Sequence, residues 1–143
     1  MKIKIKRIEK DLPLPEYKTK GAVAFDFYAR KTVTIAPQTV GYVPLNTIIE
    51  IPEGYGLIVA ARSGTHKKGL ILINGVGIID PLFCGEDDEI LAAYFNFSKE
   101  PVIVERGERI AQGFFLKREY AEWEETDVMQ KESRGGFGST GHK

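Results

Sequence analysis

Apolar residues recur at every second position in short runs along this chain, and no sustained 3.6-residue stripe accompanies them, so the chain must fold chiefly from strands. The runs are Ile3/Ile5, Val23/Phe25/Phe27, Val33/Ile35, Val40/Val43/Leu45, Ile48 to Ile51, Leu57 to Ala60, Leu70 to Ile73, Gly77 to Ile79, Ile90 to Phe97, Val102 to Val104 and Ile110 to Leu116, parted by Pro, Gly, Asn or Lys-rich turns. Strands this short at this spacing indicate an all-β fold, a sandwich or a barrel. Ile90 to Phe97 is apolar on both faces, as a central strand would be. Tyr120 to Lys131 is the one stretch that a helix could claim, yet Ala121, Trp123, Val128 and Met129 form no continuous face, and it reads as an extended arm.

With 143 residues, 43% of them hydrophobic, the chain suffices for a single core, assigned to residues 1–133. Twenty basic and twenty acidic side chains cancel, so neither duplex nucleic acid nor an anionic membrane is expected as a partner, and any phosphate site must be local. A single cysteine, Cys84, rules out an intrachain disulfide, and with two histidines a structural zinc site is not expected. Met1 to Ile8 alternates charge with isoleucine as a strand does and lacks the apolar run of a signal peptide or membrane span. These features point to a soluble protein of the cytoplasm.

Composition shifts at Ser133. The final segment, residues 134–143, sets Arg134, Phe137, Ser139 and Thr140 among Gly135, Gly136, Gly138 and Gly141. So much glycine cannot order itself without a ligand or a neighbouring subunit, and the segment is expected to be a mobile lid. Phe137 offers a face to a base, Arg134 a charge to phosphate, and Gly138, Ser139 and Thr140 unhindered donors. A strand-to-helix phosphate loop shares the Gly136 to Gly141 spacing, but His142 stands where that motif needs lysine.

Four internal clusters also carry chemistry. Arg62-Ser63-Gly64-Thr65-His66-Lys67-Lys68-Gly69 is a turn between two apolar strands; Arg62 can grip two phosphate oxygens and Ser63 can add a short hydrogen bond, or the whole is an ordinary basic turn. Asn74-Gly75-Val76-Gly77-Ile78-Ile79-Asp80 reads as a hairpin whose glycines admit a flat ligand to the backbone, with Asp80 either a general base or a cap of the next loop. Phe83 is a stacking platform or core. Asp26, set between Phe25 and Phe27, needs a partner, either a loop cation or a hydrated magnesium ion. Gln112 lies in the apolar strand Arg109-Ile110-Ala111-Gln112-Gly113-Phe114-Phe115, where phosphate, a catalytic water or backbone must satisfy its amide.

Taken together and in this order, the five clusters resemble the motifs of the homotrimeric all-β dUTPase family. The segments are Ala22 to Ala29, Arg62 to Gly69, Asn74 to Gly85, Arg109 to Gln112 and Arg134 to Gly141. The resemblance implies a jelly-roll-like subunit, a homotrimer with shared sites, and hydrolysis of dUTP to dUMP and pyrophosphate, which limits uracil in DNA and supplies dUMP for thymidylate. It gives Asp80 the activation of the water that attacks the α-phosphorus. Asn74 and the backbone around Gly77 and Ile79 would read uracil, and Phe83 would pack under deoxyribose and exclude a 2′-hydroxyl. Arg62, Ser63, Gly64 and Gln112 would hold phosphates, while Arg134, Phe137, Gly138, Ser139 and Thr140 would close over the nucleotide. Mg2+ would bridge the phosphates, reached by Asp26 through water at most.

The chain departs from the family pattern at Ala24, where glycine is usual, and at Phe83, where tyrosine is usual. Its Arg62 loop is one residue short, Arg134 stands close to Phe137, and the acidic run Glu86-Asp87-Asp88-Glu89 is expected to be a solvated hairpin tip. Two rivals follow from the same residues. A dCTP deaminase, alone or with diphosphatase activity, shares Arg-Ser and Ile-Asp-Pro but needs a glutamate where this chain has Cys84, leaving Glu86 as a displaced substitute. A non-catalytic nucleotide-binding regulatory module would use most of the same contacts, though it would not require Asp80.

Overall fold

Residues 1–141 are described by a computed structural model, in which each of the period-two runs contributes a strand. The eleven strands are β1 (Lys4–Arg7), β2 (Phe25–Tyr28), β3 (Val33–Ile35), β4 (Val40–Pro44), β5 (Thr47–Glu50), β6 (Tyr55–Ala61), β7 (Leu70–Leu72), β8 (Gly77–Ile79), β9 (Leu91–Asn96), β10 (Val102–Val104) and β11 (Arg109–Lys117). A single 3₁₀ turn, Thr65–Lys68, lies between β6 and β7. All pairings are antiparallel, in a four-stranded sheet of order β2-β11-β6-β8, a three-stranded sheet β4-β9-β7 and two pairs, β1-β5 and β10-β3. Strands adjacent in sequence mostly lie in different sheets, which gives the jelly-roll-like, all-β architecture. No helix among the described residues is long and apolar enough to cross a membrane.

The core fills the space between the sheets, with Phe27, Val43, Leu57, Tyr94 and Val104 wholly buried. Burying side chains of this size contributes roughly 1.5–3 kcal/mol each. β2 is buried along its whole length, and the Phe25 and Phe27 rings meet edge to face at 5.2 Å. Glycine at 113 is what lets β11 lie against them: a Cβ there would stand 2.7 Å from a Phe27 ring carbon. Several polar groups inside are hydrogen-bonded, whereas the Thr47 hydroxyl and Arg118 Nε have no partner among the described residues. The Tyr94 hydroxyl donates to the Ile110 carbonyl at 2.6 Å, and Asn96 donates to the Ile35 and Glu100 carbonyls at 2.9 and 2.7 Å.

Two expectations about individual segments need correction. β9 is the middle strand of its sheet, but only Ala92, Tyr94 and Asn96 face the core. Its other face is turned outward, where Val40, Phe95 and Ile71 share one row and Tyr42 and Ala93 the next; Val40, Tyr42, Ile71, Ile73 and Leu91 are all exposed. The sequence pattern of a doubly covered strand therefore marks a face that this chain alone leaves open. The Asn74-Gly75 turn is also not a hairpin, because β7 pairs with β9 whereas β8 pairs with β6. It carries the chain from one sheet to the other, with Gly75 at φ +73°, a conformation in which glycine is unstrained.

Beyond β11 the chain changes character. Residues 119–141 hold no strand or helix, and every one of them is exposed. Trp123 and Phe137 project fully into solvent. The hydrogen bonds within this stretch are local, joining Thr126 to Val128, Gly136 to Ser139 and Gly138 to Gly141. His142 and Lys143, included above in the expected lid, lie outside the described residues.

Candidate active site

The expected residues gather in two places. At one end of the four-stranded sheet, Asp26 on β2 stands opposite Gln112 on β11, which stands opposite Ala60 on β6. Asp26 is almost fully buried between its aromatic neighbours, and a carboxylate there requires charged donors. Arg62, just past β6, donates its Nε–H to Oδ1 at 3.1 Å, and Arg109 donates from Nη1 to Oδ2 at 3.0 Å. A second Arg62 nitrogen donates to the Arg109 carbonyl at 3.2 Å, and Gln112 donates to the Ala61 carbonyl at 2.9 Å. Of the alternatives left open for these side chains, Asp26 has taken a loop cation, Arg62, together with Arg109 of β11, and the Gln112 amide has taken backbone.

Arg109 enters this group through a β-bulge. The pairing of β11 with β2 runs Gln112 to Asp26, Ala111 to Phe27, then Arg109 to Tyr28, so Ile110 is an extra residue. In a regular strand, positions 109 and 112 would point to opposite faces; the bulge brings both to the face of Asp26. The sequence reading gave Arg109 no role, and nothing in the pattern signals the bulge. Next to it, Ser63 and Gly64 are exposed on the approach to the 3₁₀ turn, Thr65 is buried beneath, and Lys68 is bound to Glu108. Gly69 closes the turn at φ +87°, where a Cβ would come within 2.9 Å of Ser98.

The second group lies on β8 and the loop after it. β8 is an edge strand, so the outward backbone N–H and C=O groups of Gly77, Ile78 and Ile79 have no strand partner within the described chain. Asn74 is exposed beside it, with its amide nitrogen 3.9 Å from where a Gly77 Cβ would stand. Asp80 follows directly, its side chain exposed, on a cleft of about 320 Å³ shared with Glu53, Pro81, Leu82, Arg118 and Tyr120. The turn from Asp80 to Phe83 is closed by the Phe83 N–H donating to the Asp80 carbonyl at 3.2 Å, which leaves the Phe83 ring partly exposed.

The acidic run after Cys84 corrects another expectation. Glu86 and Asp87 are exposed, but Glu89 is largely buried and accepts from Arg30 at 2.7 and 3.0 Å and from the Asn46 N–H at 3.0 Å. The stretch is no hairpin tip: it joins β8 and β9, which lie in separate sheets, and Glu89 anchors it. Glu86 accepts from Lys6 at 2.6 Å, and that ammonium holds its carboxyl below the usual carboxylate range. The Cys84 thiol donates to the Pro81 carbonyl at 3.3 Å.

Within one chain the two groups stay apart. Ile79 pairs with Leu57, five residues before Arg62, and Asp80 lies one step further out, so Asp80 and Arg62 are roughly 20 Å apart at about 3.3 Å per residue. That exceeds the span of a triphosphate. The arm adds a third, separate element: the twenty residues from Arg118 to Phe137 can extend about 60 Å. Among the described residues no cluster of three or more His, Cys, Asp or Glu could cage a metal ion, and both Asp26 oxygens are held by guanidinium groups.

Fold and site together define an all-β, jelly-roll protein that carries an arginine cluster, an open edge strand and an exposed glycine-rich arm. Comparison with known proteins narrows this. The dUTPase family matches residues 10–141 of the chain. A relative from Desulfitobacterium hafniense (strain DSM 10664 / DCB-2), a deoxyuridine 5'-triphosphate nucleotidohydrolase, is 42% identical over 99% of this chain and 97% of its own. The solved dUTPase from Streptococcus mutans superposes with a TM-score of 0.76 at 28% identity, covering 83% of this chain and 98% of that one. The Staphylococcus bacteriophage 80alpha dUTPase with dUPNHPP shares the fold at a TM-score of 0.82 and 24% identity, covering 99% of both chains. The chain belongs to the dUTPase family.

Proposed function

We propose that this protein hydrolyses dUTP to dUMP and pyrophosphate in a site shared between the subunits of a homotrimer. The observation that carries the reading is the edge position of β8, which offers unpaired backbone donors and acceptors immediately before an exposed carboxylate. Such an edge can read a pyrimidine as a neighbouring strand would, with Asn74, Gly77 and Ile79 meeting uracil and Phe83 lying under the sugar. Asp80 accepts a proton from water as its oxygen bonds to the α-phosphorus and the bond to the departing pyrophosphate breaks. Arg62, Ser63, Gly64 and Gln112 hold the phosphates, and Arg134, Phe137, Gly138, Ser139 and Thr140 close over them.

The roughly 20 Å between Asp80 and Arg62 is why the site must draw on more than one chain. The exposed apolar rows of the β4-β9-β7 sheet supply a surface for such an assembly, since a patch of this kind is covered in a stable protein. Mg2+ would neutralise charge on the triphosphate and would be held chiefly by phosphate oxygens, since the described residues form no cage for it; Asp26 would act on it only indirectly. The free Cys84 suits a reducing, cytoplasmic setting, and a balanced charge suits a small nucleotide rather than nucleic acid or membrane as the partner.

Deaminase chemistry is not favoured. It needs a carboxyl able to shuttle protons, but Cys84 is a thiol and Glu86 is fixed as an ion pair with Lys6. Separate incubations with dUTP, UTP, dTTP and dCTP, with products resolved, test the proposal. Pyrophosphate and dUMP are expected from dUTP, with UTP turned over far more slowly; ammonia from dCTP, or binding without turnover of any of the four, would contradict it.

A further inference from the structure

The acidic run Glu86-Asp87-Asp88-Glu89 has no task in the site described so far. We propose that its last member, Glu89, and the Arg30 guanidinium it engages are positioning residues for Phe83, holding the ring where it tells deoxyribose from ribose; this rests on reading Phe83 as the platform under the sugar. Residues 81–89 carry the chain from the end of β8, in one sheet, to β9 in another. None of residues 81–88 is buried, and Leu82 projects into solvent, so apolar packing does little to hold the segment on the body. A ring that must meet one face of a sugar needs a fixed backbone beneath it, and here polar contacts have to fix it.

Those contacts are of two kinds. Within the segment, the turns closed by the Phe83 N–H and the Cys84 thiol are followed by a second turn, in which the Gly85 N–H donates to the Asp88 carboxylate at 2.7 Å and the Asp88 N–H donates to the Gly85 carbonyl at 3.1 Å. These bonds make the segment a folded unit, so a shift at its far end is carried to Phe83. Among the described residues, two polar attachments tie the unit to the rest of the protein. The Lys6–Glu86 pair is largely solvent-exposed, and such a pair is a weak tether. Glu89 is the stronger one, its side chain only 12% exposed. One of its oxygens accepts from Arg30 Nε at 2.7 Å and from the Asn46 N–H at 3.0 Å, and the other accepts from Arg30 Nη2 at 3.0 Å. Both donors are themselves held: the Arg30 N–H donates to the Pro44 carbonyl at 2.8 Å, and the buried Asn46 side chain bonds the Glu9 N–H and carbonyl at 2.6 and 3.0 Å. The guanidinium fork fixes the carboxylate in orientation as well as distance. Desolvation offsets much of the attraction in such a pair, so net stability alone explains it poorly.

Glu89→Gln, Arg30→Lys, Phe83→Ala and the unaltered protein can be compared by kcat/KM for dUTP and for UTP. The ratio of the two constants is the readout, because a misfolded fraction lowers both equally and leaves the ratio unchanged. Phe83→Ala should lower the preference for dUTP by about tenfold or more, and Glu89→Gln, which keeps the shape but loses the charge, by about tenfold. Arg30→Lys keeps the charge and loses the fork; its ratio should lie between those of Glu89→Gln and the unaltered protein, and it carries the test if Glu89→Gln does not fold. The double variant Phe83→Ala/Glu89→Gln should be no less selective than Phe83→Ala alone, since nothing is left to position. Unchanged ratios in Glu89→Gln and Arg30→Lys beside a lowered one in Phe83→Ala would overturn the proposal, as would additive losses in the double variant. An unchanged ratio in Phe83→Ala would instead remove the reading of Phe83 as the sugar platform, and the proposal with it.

Discussion

Asp80→Asn is expected to retain dUTP affinity while its kcat falls about 10²–10⁴-fold, the usual cost of removing a general base. The substitution keeps size, shape and one acceptor oxygen but cannot take a proton from water at neutral pH. Asp80 is exposed at the end of β8, so the exchange disturbs no buried contact and the fold should be unaffected. In the proposed site, binding would depend on other groups: the β8 edge for the base and the arginine cluster for the phosphates. Single-turnover rates with dUTP, together with a direct titration using a non-hydrolysable imido analogue, separate the two effects. Equal single-turnover rates in the two proteins would exclude Asp80 as the base.

Deleting residues 134–143 is the second large effect expected. The hydrogen bonds described within 119–141 are local, so among the described residues the deletion removes no polar contact with the β domain and the melting temperature should hardly move. Turnover should nevertheless fall by about 10²-fold or more, because in the proposed site the removed groups would exclude water and fix the phosphates once the nucleotide is bound. Phe137 is fully exposed and has no other evident task in a folded chain. Calorimetry and steady-state kinetics on the same preparation test both halves. Unchanged kinetics would show that the segment is no lid.

Strands were legible in the sequence because half-buried strands impose a period of two, and each run from Ile3 to Leu116 contributes one. What escaped was the placement of residues relative to one another. Asn74-Gly75 has the composition of a hairpin turn, yet tertiary pairing sends β7 and β8 to different sheets. Glu89 looked solvated within an acidic run, but Arg30 and Asn46 draw it inward. Arg109 and Gln112 share a face only through the extra Ile110, and a bulge leaves no mark on hydrophobic periodicity. The apolar outer face of β9 was visible as composition, but its exposure in the folded chain was not.

The central claim is that Asp80 and the C-terminal arm of one working site come from different chains. Co-refolding Asp80→Asn with the protein lacking residues 134–143 tests it directly, because each variant carries what the other lacks. With random 1:1 assembly, about a quarter of the sites should combine an intact Asp80 with an intact arm, and activity should recover towards that fraction of the unaltered level. A mixture no more active than the sum of its two parts would mean that each site is built within a single chain.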